Sequence, residues 1–372
     1  MWYEPLIDRG YMPDFIIRQG IRRLLASRLS ELYSNDEEAN VAYKREFVRN
    51  LYSAPIAVDT DKANEQHYEL PLEFMELFMA GHVKYSSGYY PNGPTGLDEA
   101  EERMLESYCQ KAGLTDGQTI LDLGCGWGSL VFYLAKKYPS SQITGFSNSA
   151  SQCNYINRQT KALGLANVSA VTGDITDFDW DKPRRFDRII TIEMIEHMKN
   201  YDQLFRKLSN WLNASGLLFV EIICHKSLPY HFDTKDANSW MAQNFFTGGC
   251  MPSRDLYFYF QRDLVILDHW YLNGVHFHHT AEDWLRRLTT HRDRAVKVLG
   301  RFYCPPDVDP DGHEAQIIGE KWFSRWRVYL MSCAEMFAFG NYQEWGVAHY
   351  LMGKHDASAL DSAPPSQKEL HY

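Results

Sequence analysis

Apolar positions recur at helical spacing through residues 13–52, where Phe15, Ile16, Ile21, Leu24, Leu25, Leu29 and Leu32 are interleaved with Arg18, Arg22, Arg23 and Arg28. This predicts an amphipathic helical lead-in with a solvated basic face. Residues 54–64 are polar and read as a linker. Helices are expected over 70–79 and 99–112, with an ordered loop rich in Tyr, Gly and Pro over 84–95 between them. Beyond residue 118 the period changes. Short apolar and β-branched runs at 119–123, 142–146, 168–172, 186–192 and 217–224 predict buried strands, and the stretches 129–138, 150–163 and 201–212 predict helices between them. Strands alternating with helices imply an α/β fold class, a doubly wound, mainly parallel sheet.

The rhythm lapses over 225–263, where Trp240, Phe245, Phe246, Gly248, Gly249, Pro252, Tyr257, Phe258, Tyr259 and Phe260 crowd together. This stretch reads as an inserted cap over the carboxyl edge of the sheet. A strand at 264–271, helices at 281–299 and 319–339 and a last strand at 345–351 follow. The expected organisation is an N-terminal helical segment (1–64), a cap and loop over a cofactor (65–115), a cofactor-binding core (116–224), an inserted substrate cap (225–262), the remainder of the core (263–355) and a disordered polar tail (356–372).

Composition narrows the function. A chain of 372 residues with 45% hydrophobic content can bury a full core, and a net charge of −10 argues against a nucleic-acid partner, which needs clustered Lys and Arg. Aromatic residues make up 14%, which suits a pocket for flat or cationic ligands. The seven cysteines are scattered without a C-x-x-C pair, so reduced thiols and a cytoplasmic setting are expected. No apolar run is long enough to span a bilayer, and the N-terminus lacks the layout of a signal peptide. No metal is expected. Asp307-Val308-Asp309-Pro310-Asp311-Gly312 imitates a calcium loop but places Ile318 where a bidentate Glu is required, and His276-Phe277-His278-His279 reads as an ordinary loop.

The candidate chemistry begins with Leu121-Asp122-Leu123-Gly124-Cys125-Gly126-Trp127-Gly128, a strand running into a glycine turn and then a helix. Such a turn bares the backbone where a ligand crosses the sheet edge. The spacing is not the nicotinamide G-x-G-x-x-G, and the acidic Asp122 suits the ammonium of an amino-acid-bearing cofactor. Ser147 and Asn148 after the second strand can hold ribose hydroxyls, and Asp174 after the third can accept from an adenine amino group. Together these features resemble a class I S-adenosyl-L-methionine-dependent methyltransferase. The fourth strand ends in Ile192-Glu193-Met194-Ile195-Glu196-His197, two carboxylates and an imidazole able to attract an ammonium and take its proton.

Pro13-Asp14-Phe15-Ile16-Ile17-Arg18-Gln19-Gly20-Ile21-Arg22, Lys84-Tyr85-Ser86-Ser87-Gly88-Tyr89-Tyr90, the Glu193 motif and Phe246-Thr247-Gly248-Gly249-Cys250-Met251-Pro252-Ser253 resemble the cyclopropane-fatty-acid-synthase superfamily. Within it the chain looks most like the coclaurine N-methyltransferase branch, over roughly residues 13–353. The resemblance implies that Tyr85, Ser86, Gly124, Gly126, Ser147, Asn148, Gln152, Asp174 and Ile175 contact S-adenosyl-L-methionine, with S-adenosyl-L-homocysteine as product. It further implies catalytic roles for Glu193, Glu196 and His197, and substrate contacts from Tyr89, Phe246 and Tyr329. Where the lipid-modifying branch carries a Cys that helps hold a bicarbonate base, this chain has Ser87. The expected activity is therefore methylation of the nitrogen of a small, aromatic, tetrahydroisoquinoline-like amine. The alternatives are a cyclopropane-fatty-acyl-phospholipid synthase or lipid methyltransferase and a non-catalytic cofactor-binding protein. A homodimer is left open.

Overall fold

The structure, a computed structural model, describes residues 4–57, 70–180, 184–232 and 249–355. The expected tail at 356–372, most of the expected linker and Phe246 lie outside the described residues. Three helices lead the chain, α1 (Glu4–Asp8), α2 (Asp14–Leu32) and α3 (Glu37–Ser53). Asp36 starts α3 by accepting from Glu38 N at 3.0 Å, which satisfies one of the orphan donors at the helix N-terminus.

After α4 (Leu72–Phe78) and α5 (Leu97–Lys111) the alternation begins. It runs β1 (Thr119–Leu123), α6 (Ser129–Lys137), β2 (Gln142–Ser147), α7 (Ala150–Ala162), β3 (Val168–Thr172), β4 (Phe186–Ile192), α8 (Tyr201–Trp211) and β5 (Leu212–His225). A two-stranded ribbon of β6 (Tyr230–His231) and β7 (Cys250–Met251) precedes β8 (Leu264–Asn273). The chain then forms α9 (Val275–Thr290), α10 (Arg292–Tyr303), α11 (His313–Tyr342) and β9 (Trp345–Lys354).

The main sheet has the order β3-β2-β1-β4-β5-β9-β8. Strands β1 to β5 pair in parallel, whereas β9 is antiparallel to both β5 and β8. Strand order reverses between β1 and β4, and the crevice outside their carboxyl ends is where ligands of such sheets bind. Side chains alternate across β5: Val220 and Ile222 join the core around α8, and Leu217 and Phe219 join the core under α5 and α6.

Three expectations are corrected. The helix expected over 281–299 is two helices that meet at His291, and the His276–His279 run lies inside α9 rather than in a loop. Arg18 and Arg22 of α2 are paired, not simply solvated: Arg18 bonds Glu282 and Glu335, and Arg22 bonds Glu335 at 2.5 Å. Arg325 and Arg327 return the same favour to Asp8 and Asp14, so the N-terminal helices are clamped onto α11 by charge. Beside these corrections, residues 249–262, the described end of the stretch expected to form an inserted cap, contribute side chains to the core. Leu256 and Tyr257 are fully buried, with the Tyr257 ring against Tyr201 and Phe205 of α8. Among the described residues no helix is long and apolar enough to cross a membrane.

Candidate active site

At the carboxyl edge β1 delivers Asp122, and the chain then turns sharply into α6. Gly124 and Gly126 take left-handed φ angles of 86° and 52°. A Cβ on Gly124 would stand 2.6 Å from the Met194 side chain, so only glycine lets this backbone press against the loop after β4. A Cβ on Gly126 would meet nothing within 4 Å, and Gly126 lines the cavity. The amides of Gly124 and Cys125 both donate to Phe146 O, at 2.8 and 3.0 Å, which ties the turn to β2.

Asp122 has no hydrogen-bond donor to its carboxyl group among the described residues, and burial pushes its pKa up to about 7. Trp127 Nε1, also in the cavity wall, is buried without an acceptor among the described residues. A buried acceptor and donor left unsatisfied beside a bare glycine turn are costly unless a polar ligand completes them. The ammonium and carboxylate of an amino-acid-bearing cofactor fit that requirement.

The next strand ends supply further polar groups to the same cavity. Ser147 Oγ donates to Gln152 Oε1 at 2.8 Å and accepts from Ser149 N, while Ser149 caps α7 through Gln152 N. Asp174 Oδ1 accepts from the amide and hydroxyl of Thr176, which fixes the turn after β3. Tyr85 and Ser86 arrive from the loop after α4. All the expected cofactor residues line one cavity: Tyr85, Ser86, Asp122, Gly124, Gly126, Ser147, Asn148, Gln152, Asp174 and Ile175.

Glu193 enters that cavity from the end of β4 with a left-handed φ of 47°. For a residue with a side chain this conformation costs on the order of 1–3 kcal/mol. Two bonds hold it there: Glu193 N donates to Glu221 O at 2.9 Å, and Ser87 N donates to Glu193 Oε1 at 3.0 Å. Burial, reinforced by the neighbouring Glu221 charge, holds the Glu193 carboxyl well above the usual carboxylate range. His197 lines the same cavity.

Glu196 does not. It lies in a single 3₁₀ turn, Ile195–His197, where successive side chains point about 120° apart. Its Oε1 accepts from Ile223 N at 2.7 Å beneath the wall, and its buried Oε2 has no partner among the described residues. Burial raises this carboxyl to about 8. Of the expected substrate residues, Tyr329 lines the cavity and its hydroxyl accepts from Tyr85 Oη at 3.2 Å. Phe277, Trp284 and Phe337 extend that aromatic wall. Tyr89 lies outside the cavity, its ring 4.9 Å from that of His276.

A buried acid–base cluster beside Glu193 went unread in the sequence. Lys84 is 3% exposed, donates to Ser86 Oγ at 2.5 Å and Ser87 O at 2.6 Å, and sits 5.3 Å from the Tyr108 ring centre. Tyr108 Oη donates to Glu221 Oε1 at 2.6 Å, and Glu221 Oε2 meets His349 Nε2 at 2.5 Å. The one visible signal was a Glu at 221 and a His at 349 inside the apolar runs 217–224 and 345–351. Among the described residues no group of three or more His, Cys, Asp or Glu is arranged to hold a metal ion.

Residues 58–303 match the mycolic acid cyclopropane synthetase family. The chain is 37% identical over 350 residues to (S)-coclaurine N-methyltransferase of Thalictrum flavum subsp. glaucum, covering 94% of each chain. It is 35% identical over 348 residues to (S)-tetrahydroprotoberberine N-methyltransferase of Eschscholzia californica, covering 93% of this chain and 96% of that one. The crystal structure of coclaurine N-methyltransferase bound to N-methylheliamine and SAH superposes with a TM-score of 0.88 at 36% identity, across 94% of this chain and 98% of the other. With the sheet order, the glycine turn and near-complete coverage in agreement, the chain belongs to the cyclopropane synthase family of class I S-adenosylmethionine-dependent methyltransferases, a family that includes the coclaurine N-methyltransferases.

Proposed function

We propose that this methyltransferase transfers a methyl group from S-adenosylmethionine to the nitrogen of a small, aromatic, tetrahydroisoquinoline-like amine. The observation that carries the reading is the buried Glu193 carboxyl, made more basic by its surroundings and lining the cavity that also holds the glycine turn and the aromatic wall. S-adenosylmethionine supplies an electrophilic methyl group on a sulfonium when bound. Asp122 pairs with the ammonium of its amino-acid end, Ser147 and Asn148 hold its ribose, and Asp174 its adenine.

The chain's other task is at the amine. Most aliphatic amines are protonated at neutral pH, and a protonated nitrogen has no lone pair with which to attack. Glu193 takes that proton, and His197 in the same cavity orients the nitrogen and shares the base role. The rings of Tyr85, Phe277, Trp284 and Tyr329 present π-faces to a cation and keep water out. Glu196, beneath the wall, braces the turn that carries His197 rather than touching substrate. The segment expected as a cap over the cofactor (65–115) serves that role through its described part, residues 70–115.

Ser87 favours nitrogen over a lipid alkene as acceptor. Its side chain is fully buried and Oγ donates to Gly88 O at 3.0 Å, so the hydroxyl is spent on backbone instead of facing the cavity as an anion holder. Methylation at nitrogen needs no deprotonation at carbon. The reading is tested by supplying primary and secondary arylalkyl amines, tetrahydroisoquinolines among them, with methyl-labelled S-adenosylmethionine, and phospholipid vesicles in a parallel reaction. N-methyl products with untouched lipid are expected; methylene gain in acyl chains without an amine product overturns the reading.

A further inference from the structure

We propose that Glu221 is a positioning residue for the reaction, a standing negative charge behind Glu193 that makes Glu193, rather than itself, the group that receives the amine's proton. The inference deepens the N-methyltransferase reading and rests on it, because an ammonium substrate is what supplies that proton.

Counting donors shows why Glu221 stays ionised. Lys111 Nζ meets His349 Nδ1 at 2.7 Å, and a charged lysine nitrogen has hydrogens to give and no lone pair to receive one. Burial lowers Lys111 only to about 8, which leaves it mostly charged at pH 7, 5.4 Å from the centre of the Trp270 ring. Nδ1 is therefore the acceptor, and the neutral imidazole carries its single hydrogen on Nε2. That hydrogen points at Glu221 Oε2 across 2.5 Å, while Tyr108 Oη donates to Oε1 at 2.6 Å. A proton placed on Oε2 would meet the imidazole hydrogen head on. The fold fixes these partners: strand register sets Glu221 opposite His349, and α5 carries Tyr108 and Lys111 three residues apart on one face.

Glu193 is held differently. Among the described residues its carboxyl accepts one hydrogen bond, from Ser87 N to Oε1, and the group lines the cavity. Parallel pairing keeps it beside Glu221, with Ile192 opposite Glu221 and Glu193 N donating to Glu221 O at 2.9 Å. Neighbouring buried carboxylates disfavour each other's charge, so a proton goes to the one whose oxygens are not already claimed by donors. Glu221 accordingly lies below the usual carboxylate range, through His349, Lys84 and Tyr108, and Glu193 well above it, through burial and Glu221. Packing alone does not call for this cluster, because an apolar replacement of equal volume is often at least as stable.

In the step itself the substrate N–H bond breaks, an O–H bond forms on Glu193, and the electron pair stays on nitrogen for the attack on the methyl group. Glu221 keeps its charge throughout. The other charged and titratable groups around the pair are Lys84, within reach of both carboxyls and of Glu101, and Glu196, which acts on Glu193 and is acted on by Glu221. Tyr108 and Cys333 also face Glu193, Asp268 lies beside Lys111, His276 near His349 and Lys111, and His197 shares the cavity.

Glu221→Gln removes the charge and keeps the size. The test is the pH profile of kcat/KM with a tetrahydroisoquinoline, in which the amine's own titration is common to both enzymes and any displacement reports the enzyme's group. The acid limb should move to lower pH by about one unit or more, as expected for the loss of a nearby like charge, and the plateau should fall severalfold because Glu193 becomes a weaker base. Glu221→Asp keeps the charge and should leave the limb near its wild-type position. Glu221→Gln/His349→Gln, in which amide faces amide, should show the same displacement and serves if the single variant does not fold. A lower rate with an unmoved limb in folded variants overturns the role given to Glu221. If the wild-type chain methylates no amine, the functional reading falls and this inference with it, so the two failures are distinguishable.

Discussion

Glu221 and His349 face each other across the antiparallel β5–β9 seam, joined at 2.5 Å between Oε2 and Nε2, and neither is reached by solvent. Burial keeps the imidazole neutral, and the imidazole, with Lys84 and Tyr108, keeps Glu221 below the usual carboxylate range despite its own burial. The ionised Glu221 in turn raises the neighbouring Glu193. A pair in the sheet thereby helps set the basicity of the group that lines the cavity.

Glu193→Gln preserves the bond from Ser87 N and removes the base. Turnover should fall by on the order of a hundredfold at pH 7 while cofactor affinity is retained. Because a neutral amine needs no base, the defect should shrink as pH approaches the amine pKa; a pH–rate profile of both enzymes reads this directly.

Glu196→Gln separates the two glutamates. It should cost turnover far less than Glu193→Gln, since Glu196 lies beneath the cavity wall. Its effect on stability follows from a folded-state pKa raised to about 8. Between the unfolded value of about 4.3 and that pKa the folded state binds the extra proton, so stability is lost as pH rises through this window. The amide should remove that slope and raise the melting temperature at pH 8 relative to the wild type, as followed by calorimetry at several pH values.

Gly126→Val introduces a side chain into open cavity at a backbone with φ of 52°. Cofactor affinity should drop by at least about tenfold, the consequence of losing roughly 1.4 kcal/mol of contact. Titration calorimetry with S-adenosylhomocysteine measures the loss, and near-ultraviolet circular dichroism establishes that the variant remains folded.

Arg18→Met breaks the clamp between α2 and the helices that carry Glu282 and Glu335. Glu335 has a side chain only 4% exposed, and losing a charged hydrogen bond there should cost about 2 kcal/mol in urea unfolding. In a double-mutant cycle with Glu335→Gln, the two losses should be less than additive; strict additivity would show that the pair is not coupled.

Much of the fold was legible in the chain. Strands β1, β3 and β4 fall where short apolar runs predicted them, because turn residues bound each run and a buried parallel strand needs little beyond apolar side chains. The polar rims of the cofactor site were legible for a related reason. Asp122, the glycine turn, Ser147 and Asp174 are contributed by consecutive strand ends, so order along the sequence translates directly into order along the sheet edge.

Local pattern said less where the outcome depended on distant partners. Apolar spacing lapses over 289–294 but resumes in helical phase, Ala295 lying seven residues after Leu288, which hid the junction between α9 and α10, and nothing near Arg18 announces Glu335, 317 residues away. Glu193 and Glu196 look equivalent as letters. Only the left-handed backbone at Glu193 and the turn at Ile195–His197 send one carboxylate into the cavity and the other beneath it. The sequence by itself determined the α/β alternation, the glycine turn and the acid–base composition of the site, since these follow from local spacing and residue chemistry. The buried cluster of Tyr108, Glu221 and His349 was decided by the tertiary structure, because it exists only once antiparallel register sets Glu221 against His349 and α5 lays Tyr108 over them.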